Sequence, residues 1–494
     1  MMIGPIETSS PPWLWERARR EPRNFALGFG GIKRSFQELA IRAEDAAGRL
    51  VALGVRAGDR VALLMDASAR MVELIHAVQR IGAVSVPFNT RLTAEEIRAL
   101  VNITEPRILI FDREHAETAK APGKCEQVES QDEFDAITPA GLPALGPIDL
   151  NAVHTIIFTS GTTGVPKGAM LTNRNHLASA IASRNNLGTG DRDLWLNFLP
   201  LYHVSGLSII LRSVIDGIPV TLHRGFEPHT VNEALRAERV TLFSAVATML
   251  SRMLDDNGER RYPDYVRCVL LGGGPIPSAL VERALRTGLP VAPTYGMTET
   301  ASQISTAAIG EASRGSGGVG RPLQGTSVKI VNPDSGGRGE IAVRGPTVMS
   351  GFFRQPEATR AAVRSGWLLT GDIGHVDMEG YLYIDDRRGD LIVSGGENVY
   401  PAEVEAVLAS HPEIAEAAVF AVGDPDWGHR VAAAIVRRDG AVIDQAHLRQ
   451  WCEPRLAAFK IPRLVRFVDA LPRTASGKVR RTVLRSRFDR GGNT

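Results

Sequence analysis

Short runs of apolar, often β-branched residues recur along the chain, and stretches with helical spacing separate them. Six runs are candidate strands, at residues 61–64, 108–111, 155–158, 220–222, 241–243 and 269–271. Between them, residues 36–53 and 71–81 carry apolar side chains at the three- and four-residue spacing of an amphipathic helix. This alternation is typical of α/β proteins with largely parallel sheets. We therefore predict an α/β fold with stacked, mixed or parallel sheets covered by helices.

The chain is too long for one core. It has 494 residues, and single hydrophobic cores stop growing well below that length. Residues 325–345 contain short strand patterns with Gly and Pro turns, which predict a small antiparallel barrel. A charged run near residue 384 then indicates a linker. We predict an N-terminal domain over 1–385, a hinge linker over 386–390 and a smaller, mobile C-terminal domain over 391–494.

The C-terminal part has an α+β pattern. Pro401 suits the first turn of a helix, and Val404, Val407 and Leu408 follow at helical spacing. Residues 417–422 and 431–436 resemble a strand pair, and residues 447–456 a helix. This part should form a separate small α+β unit.

Charge and cysteine content exclude several classes of protein. Basic and acidic residues nearly balance, at 57 and 55, so no general attraction to nucleic acid or anionic membranes is expected. Cys125, Cys268 and Cys452 are far apart and predict neither a disulfide framework nor a zinc site. No secretory signal and no apolar run of about 20 residues is evident, so we expect a cytoplasmic protein.

A loop rich in glycine and hydroxyl residues follows the strand at 155–158. Backbone N–H groups and hydroxyls in such a loop can converge on phosphate oxygens, and Lys167 adds a mobile cation. The spacing differs from that of a Walker-type loop. The predicted phosphate-binding residues are Thr159, Ser160, Gly161, Thr162, Thr163, Gly164 and Lys167.

Seven further motifs follow this loop along the chain. They are PLYH (200–203), LLGGGP (270–275), YGMTE (295–299), TGD (370–372), DRRGD (386–390), SGGEN (394–398) and PRTASGK (472–478). Together with the loop, this ordered set resembles the adenylate-forming superfamily, over essentially the whole length of the chain. That superfamily contains acyl-CoA synthetases, adenylation domains of peptide synthetases and firefly-type luciferases. The resemblance implies an AMP-forming ligase that uses ATP, Mg²⁺ and coenzyme A.

The resemblance also implies how nucleotide would be bound. Tyr295 would offer an aromatic face to adenine, and Asp372 and Arg387 would meet the ribose hydroxyls. Glu299 would be the magnesium ligand, since Mg²⁺ prefers hard oxygen donors. The glycines would let the backbone approach the base and the acyl group. The remaining residues assigned to the nucleotide or to catalysis are Gly273, Gly274, Pro275, Gly296, Met297 and Thr298.

Lys478 resembles the lysine that the superfamily places beside the α-phosphate and the substrate carboxylate, where an ammonium stabilises developing negative charge. The small domain of the superfamily then rotates about a hinge, which falls here at Gly389 and Asp390. Rotation would withdraw Lys478 and bring a second loop to the coenzyme A channel. That loop carries Gly395, Gly396, Glu397 and Asn398.

Within the superfamily, residues 196–226 look most like 2-succinylbenzoate–CoA ligases of menaquinone biosynthesis. His203 and Ser205 would lie at the acyl pocket, and Gly272 and Gly273 would leave room for an aryl ring. A second carboxylate on the substrate requires a second cation. Arg212 is our candidate, because an arginine on an apolar helix must be paired or must reach solvent by snorkelling.

Other functions remain open at this point. The chain could instead activate a benzoate-type or medium-chain fatty acid, or load a free-standing carrier protein. A non-catalytic nucleotide-binding protein of the same fold is a further alternative. The basic residues between Arg473 and Arg487 could bind nucleic acid, but without interleaved aromatic residues a solvated face is favoured. Small-molecule partners and a homo-oligomer are expected.

Overall fold

The structure is a computed structural model that describes residues 7–120, 123–159, 166–274, 276–312, 318–387, 391–438, 440–472 and 479–489. One central sheet has seven strands, of which the last five are parallel. In spatial order they are Gly351–Phe352, Lys167–Thr172, Val153–Thr159, Val84–Pro87, Arg60–Leu64, Ile108–Phe111 and Gln127–Ser130.

A second sheet of nine strands packs through shared helices against the first. Its six central strands are parallel, and antiparallel strands close both edges. In spatial order they are Arg321–Pro322, Ser302–Thr306, Val291–Met297, Cys268–Leu271, Leu242–Ala245, Trp195–Asn197, Val220–Leu222, Phe25–Phe29 and Ile32–Ser35. Ser9–Ser10 and Ile148–Asp149 form a separate antiparallel pair.

A third, antiparallel sheet continues from the nine-stranded sheet. Its strands are Ser327–Val331, Gly339–Arg344, Trp367–Val376, Val363–Arg364 and Leu382–Arg387. The last of these strands extends two residues into the predicted linker, and the remaining linker residues, 388–390, lie outside the described residues. The antiparallel addition expected from residues 325–345 is present.

The C-terminal part has its own sheet and its own core. Its strands are Glu397–Val399, Ile392–Ser394, Gly428–Arg437, Ile414–Asp424 and Leu464–Phe467. The two long strands pair across a turn at 425–427, where the sequence predicts a hairpin. The predicted helix at 447–456 is shorter than expected: it spans Gln445–Cys452, because turns containing Pro454 follow Cys452.

Helices cover the sheets, and capping side chains fix where several of them begin. Ser35 and Glu38 form a reciprocal capping box, and so do Thr93 and Glu96. The first seven helices are Trp13–Arg20, Phe36–Ala52, Ala69–Arg80, Ala94–Thr104, Ala116–Ala119, Gln131–Ala136 and Asn173–Leu187. The next five are Val204–Asp216, Pro228–Ala237, Ala247–Asn257, Ser278–Arg286 and Pro356–Ala362. The last three are Pro401–Ala409, Gln445–Cys452 and Arg481–Asp489, and two 3-10 turns lie at Arg113–His115 and Thr298–Thr300.

The α/β prediction is confirmed, and most candidate strands differ from the structure by one or two residues at an end. The strand expected at 241–243 begins at Leu242 and continues to Ala245. Within the described part of the chain, every helix is too short or too polar to cross a membrane. Cys268 and Cys452 are buried and Cys125 is half-buried, and all three are free thiols whose pKa burial raises.

Candidate active site

A cavity of about 460 Å³ opens at the carboxyl ends of the parallel strands in the nine-stranded sheet. Ligand sites in open α/β sheets typically lie at this edge. Its walls contain thirteen of the residues that the motifs predict. They are Thr159, His203, Ser205, Arg212, Gly272, Gly273, Gly296, Met297, Thr298, Glu299, Asp372, Gly396 and Asn398.

The remaining predicted residues fall into two groups. Some lie beside the cavity wall without forming it, and these are Lys167, Gly274, Tyr295, Gly395 and Glu397. Others lie outside the described residues, namely Ser160, Gly161, Thr162, Thr163, Gly164, Pro275, Gly389, Asp390 and Lys478, together with the side chain of Arg387. The structure therefore gives no position for the predicted catalytic lysine.

Two glycines of the motifs are required by close backbone approach. A Cβ atom on Gly296 would lie 1.8 Å from the carbonyl oxygen of Ser302, where the paired strands shift register. A Cβ on Gly272 would lie 2.7 Å from Thr294 on the neighbouring strand. Both distances are far below van der Waals contact. At these two positions the cavity wall is consequently bare backbone.

Asp372 lies in the strand Trp367–Val376 and not in a turn, so a simple turn aspartate is excluded. The hydroxyl of Tyr295 donates a hydrogen bond to its Oδ2 at 2.7 Å. Its backbone pairs with that of Arg387 on the adjacent strand. The two residues predicted to meet a ribose therefore face each other across one ladder, and Tyr295 orients the carboxylate.

Glu299 occupies a short 3-10 turn with a strained exit. Ala301 and Ser302 have φ values of 51° and 103°, which side chains rarely adopt. Burial raises the pKa of Glu299, and the charge of Asp372 adds to this, although Lys167 and hydrogen bonds oppose it. A nearby cation would relieve that cost. The Glu299 carboxylate therefore fits a magnesium ion that enters with a nucleotide.

Arg212 is buried, with 3% of its surface exposed, so snorkelling to solvent is excluded. Within the described residues, no carboxylate reaches its guanidinium at ion-pair distance. Its Nη2 donates a weak hydrogen bond to Ser179 at 3.4 Å, and its Nε has no partner. Burial lowers the pKa of Arg212 to about 10, although Asp216 opposes the shift. The group stays charged at neutral pH and is available to an anion in the cavity.

Sequence reasoning missed two polar residues on the same wall. Ser208 lies one turn before Arg212 on the helix Val204–Asp216, and Ser205 lies one turn before Ser208. Gln303 faces them from the strand Ser302–Thr306, and its Oε1 has no partner. Ser205, Ser208 and Arg212 recur at helical spacing among mostly apolar residues, and this visible pattern could have identified Ser208.

The C-terminal part closes one side of the cavity. Glu397 is 4% exposed, and its carboxylate accepts hydrogen bonds from His203, Arg91 and Asn89 at 3.1–3.2 Å. Burial alone would raise the pKa of Glu397, but His203 and Arg91 outweigh it and lower the pKa to about 2. Neither Asn89 nor Arg91 was predicted, because no motif contains them. Tyr400 and Arg481 also line the cavity and were missed.

Residues 14–353 match the family described as AMP-binding enzyme, and residues 403–478 match its C-terminal domain. The chain belongs to the AMP-binding enzyme family. Among characterised relatives of this AMP-binding enzyme is a 2-succinylbenzoate–CoA ligase of Geobacillus kaustophilus (strain HTA426). It is 45% identical over 482 residues, which cover 97% of this chain and 98% of the relative.

Solved structures of o-succinylbenzoate CoA synthetase from Bacillus subtilis share 39% of residues with this AMP-binding enzyme. The TM-score is 0.92 for a double mutant bound with its product analogue OSB-NCoA, covering 97% of this chain and 99% of that one. It is 0.74 for the complex with the acyl-adenylate intermediate OSB-AMP, covering 98% of both chains. For the complex with ATP and magnesium ion it is also 0.74, with 98% and 100% covered.

Proposed function

We propose that this enzyme is a 2-succinylbenzoate–CoA ligase. It joins 2-succinylbenzoate to AMP at the expense of ATP, releases pyrophosphate, and passes the acyl group to coenzyme A in menaquinone biosynthesis. The observation that carries the substrate assignment is the buried guanidinium of Arg212 on the cavity wall, which no carboxylate of the described residues pairs with. Identity of 45% to a ligase of that name, over nearly the full length, supports it.

In the first step a substrate carboxylate oxygen attacks the α-phosphorus of ATP, and the bond to pyrophosphate breaks. Positioning and neutralisation of negative charge provide most of the rate enhancement in such a transfer. Asp372, oriented by Tyr295, holds the ribose, and the bare backbone at Gly272 and Gly296 admits the planar groups. Mg²⁺ held near Glu299 would neutralise phosphate charge. Lys478 belongs to this step by resemblance.

In the second step the thiol of coenzyme A attacks the acyl carbon, AMP leaves, and the thiol proton is released. His203, Glu397 and Asn398 gather at the side of the cavity where a thiol can enter. The Glu397 carboxylate, held ionised by its neighbours, accepts a hydrogen bond from His203 and fixes the direction of its ring. This arrangement keeps the entrance polar and ordered.

Selectivity for the acid follows from the cavity wall. A benzoate-type acid would leave the guanidinium of Arg212 buried without an anion, which is costly. The second carboxylate of 2-succinylbenzoate offsets that charge. Ser208 and Gln303 supply further hydrogen-bonding groups close by. A medium-chain fatty acid would place methylene groups against the same polar wall.

The wider setting follows from the reaction. We place the enzyme in the cytoplasm, where ATP and coenzyme A are supplied, and assign it small-molecule partners only, with no nucleic acid. We also propose that the enzyme forms a homo-oligomer. The proposed domains are 1–385 and 391–494, joined by a hinge at 386–390, and the separate sheet and core of the C-terminal part support that division.

The test is a panel of acids assayed with ATP, Mg²⁺ and coenzyme A. Pyrophosphate release and thioester formation are measured with 2-succinylbenzoate, benzoate, 4-chlorobenzoate and octanoate. We expect both products with 2-succinylbenzoate and a strong preference for it. Selectivity for a monoacid would overturn the substrate and keep the ligase chemistry. Tight ATP binding with no pyrophosphate from any of the acids would favour a non-catalytic protein.

A further inference from the structure

Lys460 is a buried cation that does not line the cavity. Its side chain is 6% exposed, and its Nζ donates to Glu96 and to Glu403, at 2.6 Å each. Burial would lower the pKa of Lys460, but the two carboxylates outweigh burial and raise it. The ammonium therefore stays charged between two acidic partners. None of the motifs includes it.

The two glutamates belong to different parts of the molecule. Glu96 lies in the first turn of the helix Ala94–Thr104, next to the seven-stranded sheet. Glu403 lies in the first turn of the helix Pro401–Ala409 in the C-terminal part. Lys460 itself belongs to the C-terminal part. Its bond to Glu96 is therefore a contact across the interface, whereas its bond to Glu403 is internal.

The contact to Glu96 is part of a continuous docking segment, which we define as residues 89–96. Asn89 and Arg91 of this segment bind Glu397, and the guanidinium of Arg91 stacks on Phe459 at 4.7 Å. Leu92 packs against the core of the C-terminal part. The docking segment thus contacts the C-terminal part through polar, aromatic and apolar side chains.

Lys460 connects the docking segment to the cavity through Glu403. Its partner Glu403 begins the helix Pro401–Ala409, which follows directly on the loop that carries Glu397, Asn398 and Tyr400. The second oxygen of Glu403 is buried without a hydrogen-bond partner, so Lys460 is the main compensation for its charge. A fixed Lys460 therefore fixes the helix and the loop before it.

We propose that Lys460 is a positioning residue for acyl transfer to coenzyme A, because it ties the C-terminal part to Glu96 in the orientation that places Glu397 beside His203. The proposal rests on the ligase function above. This structure resembles the product-analogue complex of the B. subtilis synthetase more than its adenylate complex, with TM-scores of 0.92 and 0.74. Lys460 stabilises the arrangement with the higher score.

The decisive variant is Glu96→Gln. Glutamine at this position still accepts the hydrogen bonds from Thr93 that cap the helix, so the fold is preserved while the interface ion pair is lost. The matched control is Glu38→Gln, which makes the same change in the capping box of Ser35 on an exposed helix start.

Each half-reaction is measured separately. Pyrophosphate release in a single turnover without coenzyme A reports adenylation, and the decay of preformed acyl-adenylate after coenzyme A is added reports transfer. For Glu96→Gln we expect transfer to slow by about 30-fold or more, the lower end for losing one partner of a buried, hydrogen-bonded charge pair, with adenylation unchanged or faster. The Glu38→Gln control should leave both rates unchanged.

A second variant separates positioning from folding. Lys460→Met removes the contact with Glu96 by changing the lysine instead of the glutamate. The double variant Glu96→Gln/Lys460→Met should therefore slow transfer no more than Lys460→Met alone. Equal losses in both half-reactions, or a Glu96→Gln variant that behaves like its control, would overturn the proposal. If the wild type makes no acyl-adenylate from 2-succinylbenzoate, the substrate assignment fails. The positioning role is then tested with whichever acid is activated.

Discussion

At the scale of single residues, burial decides which charged groups recognise a ligand. Arg212 keeps its charge without an ion pair to any carboxylate in the described part of the chain, whereas Glu397 accepts hydrogen bonds from three donors. A buried ion with a full set of partners helps to hold the fold together, whereas a buried cation without an ion pair favours the binding of an anion. In the proposed function the two residues have opposite roles: Glu397 would order the thiol entrance, and Arg212 would select the acid.

We predict that Arg212→Met lowers kcat/KM for 2-succinylbenzoate by roughly 100-fold, since truncating one partner of a buried charge pair costs this much. Activity with benzoate should not fall. Arg184→Met is the control. Arg184 pairs with Asp216, which lies on the same helix as Arg212, but Arg184 does not line the cavity. Steady-state kinetics with both acids decide the matter. A parallel loss for benzoate would remove the role in selectivity.

At the scale of elements, the helix Val204–Asp216 combines recognition with an electrostatic cost. Its polar residues face the cavity, and its last residue, Asp216, is a buried carboxyl at the negative end of the helix dipole. Burial raises the pKa of Asp216 from 3.8 to about 6, although Arg184, Arg212 and Arg17 oppose the shift. The helix therefore carries a carboxyl that is easier to protonate than usual.

A pH dependence follows. Because the folded-state pKa of Asp216 lies above its unfolded value, its contribution to stability is present below pH 3.8 and is lost as pH rises through about 6. Relative to wild type, Asp216→Asn should gain about 3 kcal/mol in free energy of unfolding across that window. Urea denaturation at several pH values measures the difference. Asp132→Asn, at an exposed helix start, is the control, and an equal trend there would contradict the assignment.

The strand Val291–Met297 supports a second prediction at this scale. Gly296→Ala would force a Cβ onto the Ser302 carbonyl, so we expect a loss of about 3 kcal/mol in the free energy of unfolding, the upper end for overpacking. Gly225→Ala is the matched control, because a Cβ there meets nothing within 4 Å. Denaturant titration of both variants provides the comparison. Similar stabilities would show that the strand pair adjusts more easily than its geometry indicates.

At the scale of the whole molecule, two separately packed parts meet over the docking segment and share one cavity. Three charged residues with little exposed surface form ion pairs across this interface, namely Glu397, Glu96 and Lys460. Each pair exists only while the parts stay in this orientation. Polar contacts of this kind suit the proposed rotation of the C-terminal part, in which the interface would form and separate.

We predict that amide hydrogen exchange in the docking segment depends on the ligand. Exchange should be slower with a coenzyme A product analogue than with ATP and Mg²⁺, because the orientation described here holds residues 89–96 in contact with the C-terminal part. Mass spectrometry of peptides covering this segment measures the effect. Peptides from the strand Arg60–Leu64 should exchange equally in both states, and equal exchange in the docking segment as well would contradict the prediction.

The sequence predicted the local elements and the cavity walls better than the interface. Strands such as Ile108–Phe111 and Val220–Leu222 could be read from apolar runs, because burial on both faces leaves a continuous pattern. Asp372 in the TGD motif and Arg212 in an apolar helix were predicted from their chemistry, and both line the cavity. Arg91 and Lys460 could not, because their partners lie hundreds of residues away and only the packed arrangement brings them together.

The shared cavity has a pharmacological consequence. Arg212 belongs to the large part and Tyr400 to the small one, yet both face the same space. A compound long enough to contact both residues would hold the two parts of the enzyme in one conformation after it had bound. Such an inhibitor would gain selectivity from two sources: its anionic group, which pairs with Arg212, and its fit to the conformation that brings both residues to one cavity.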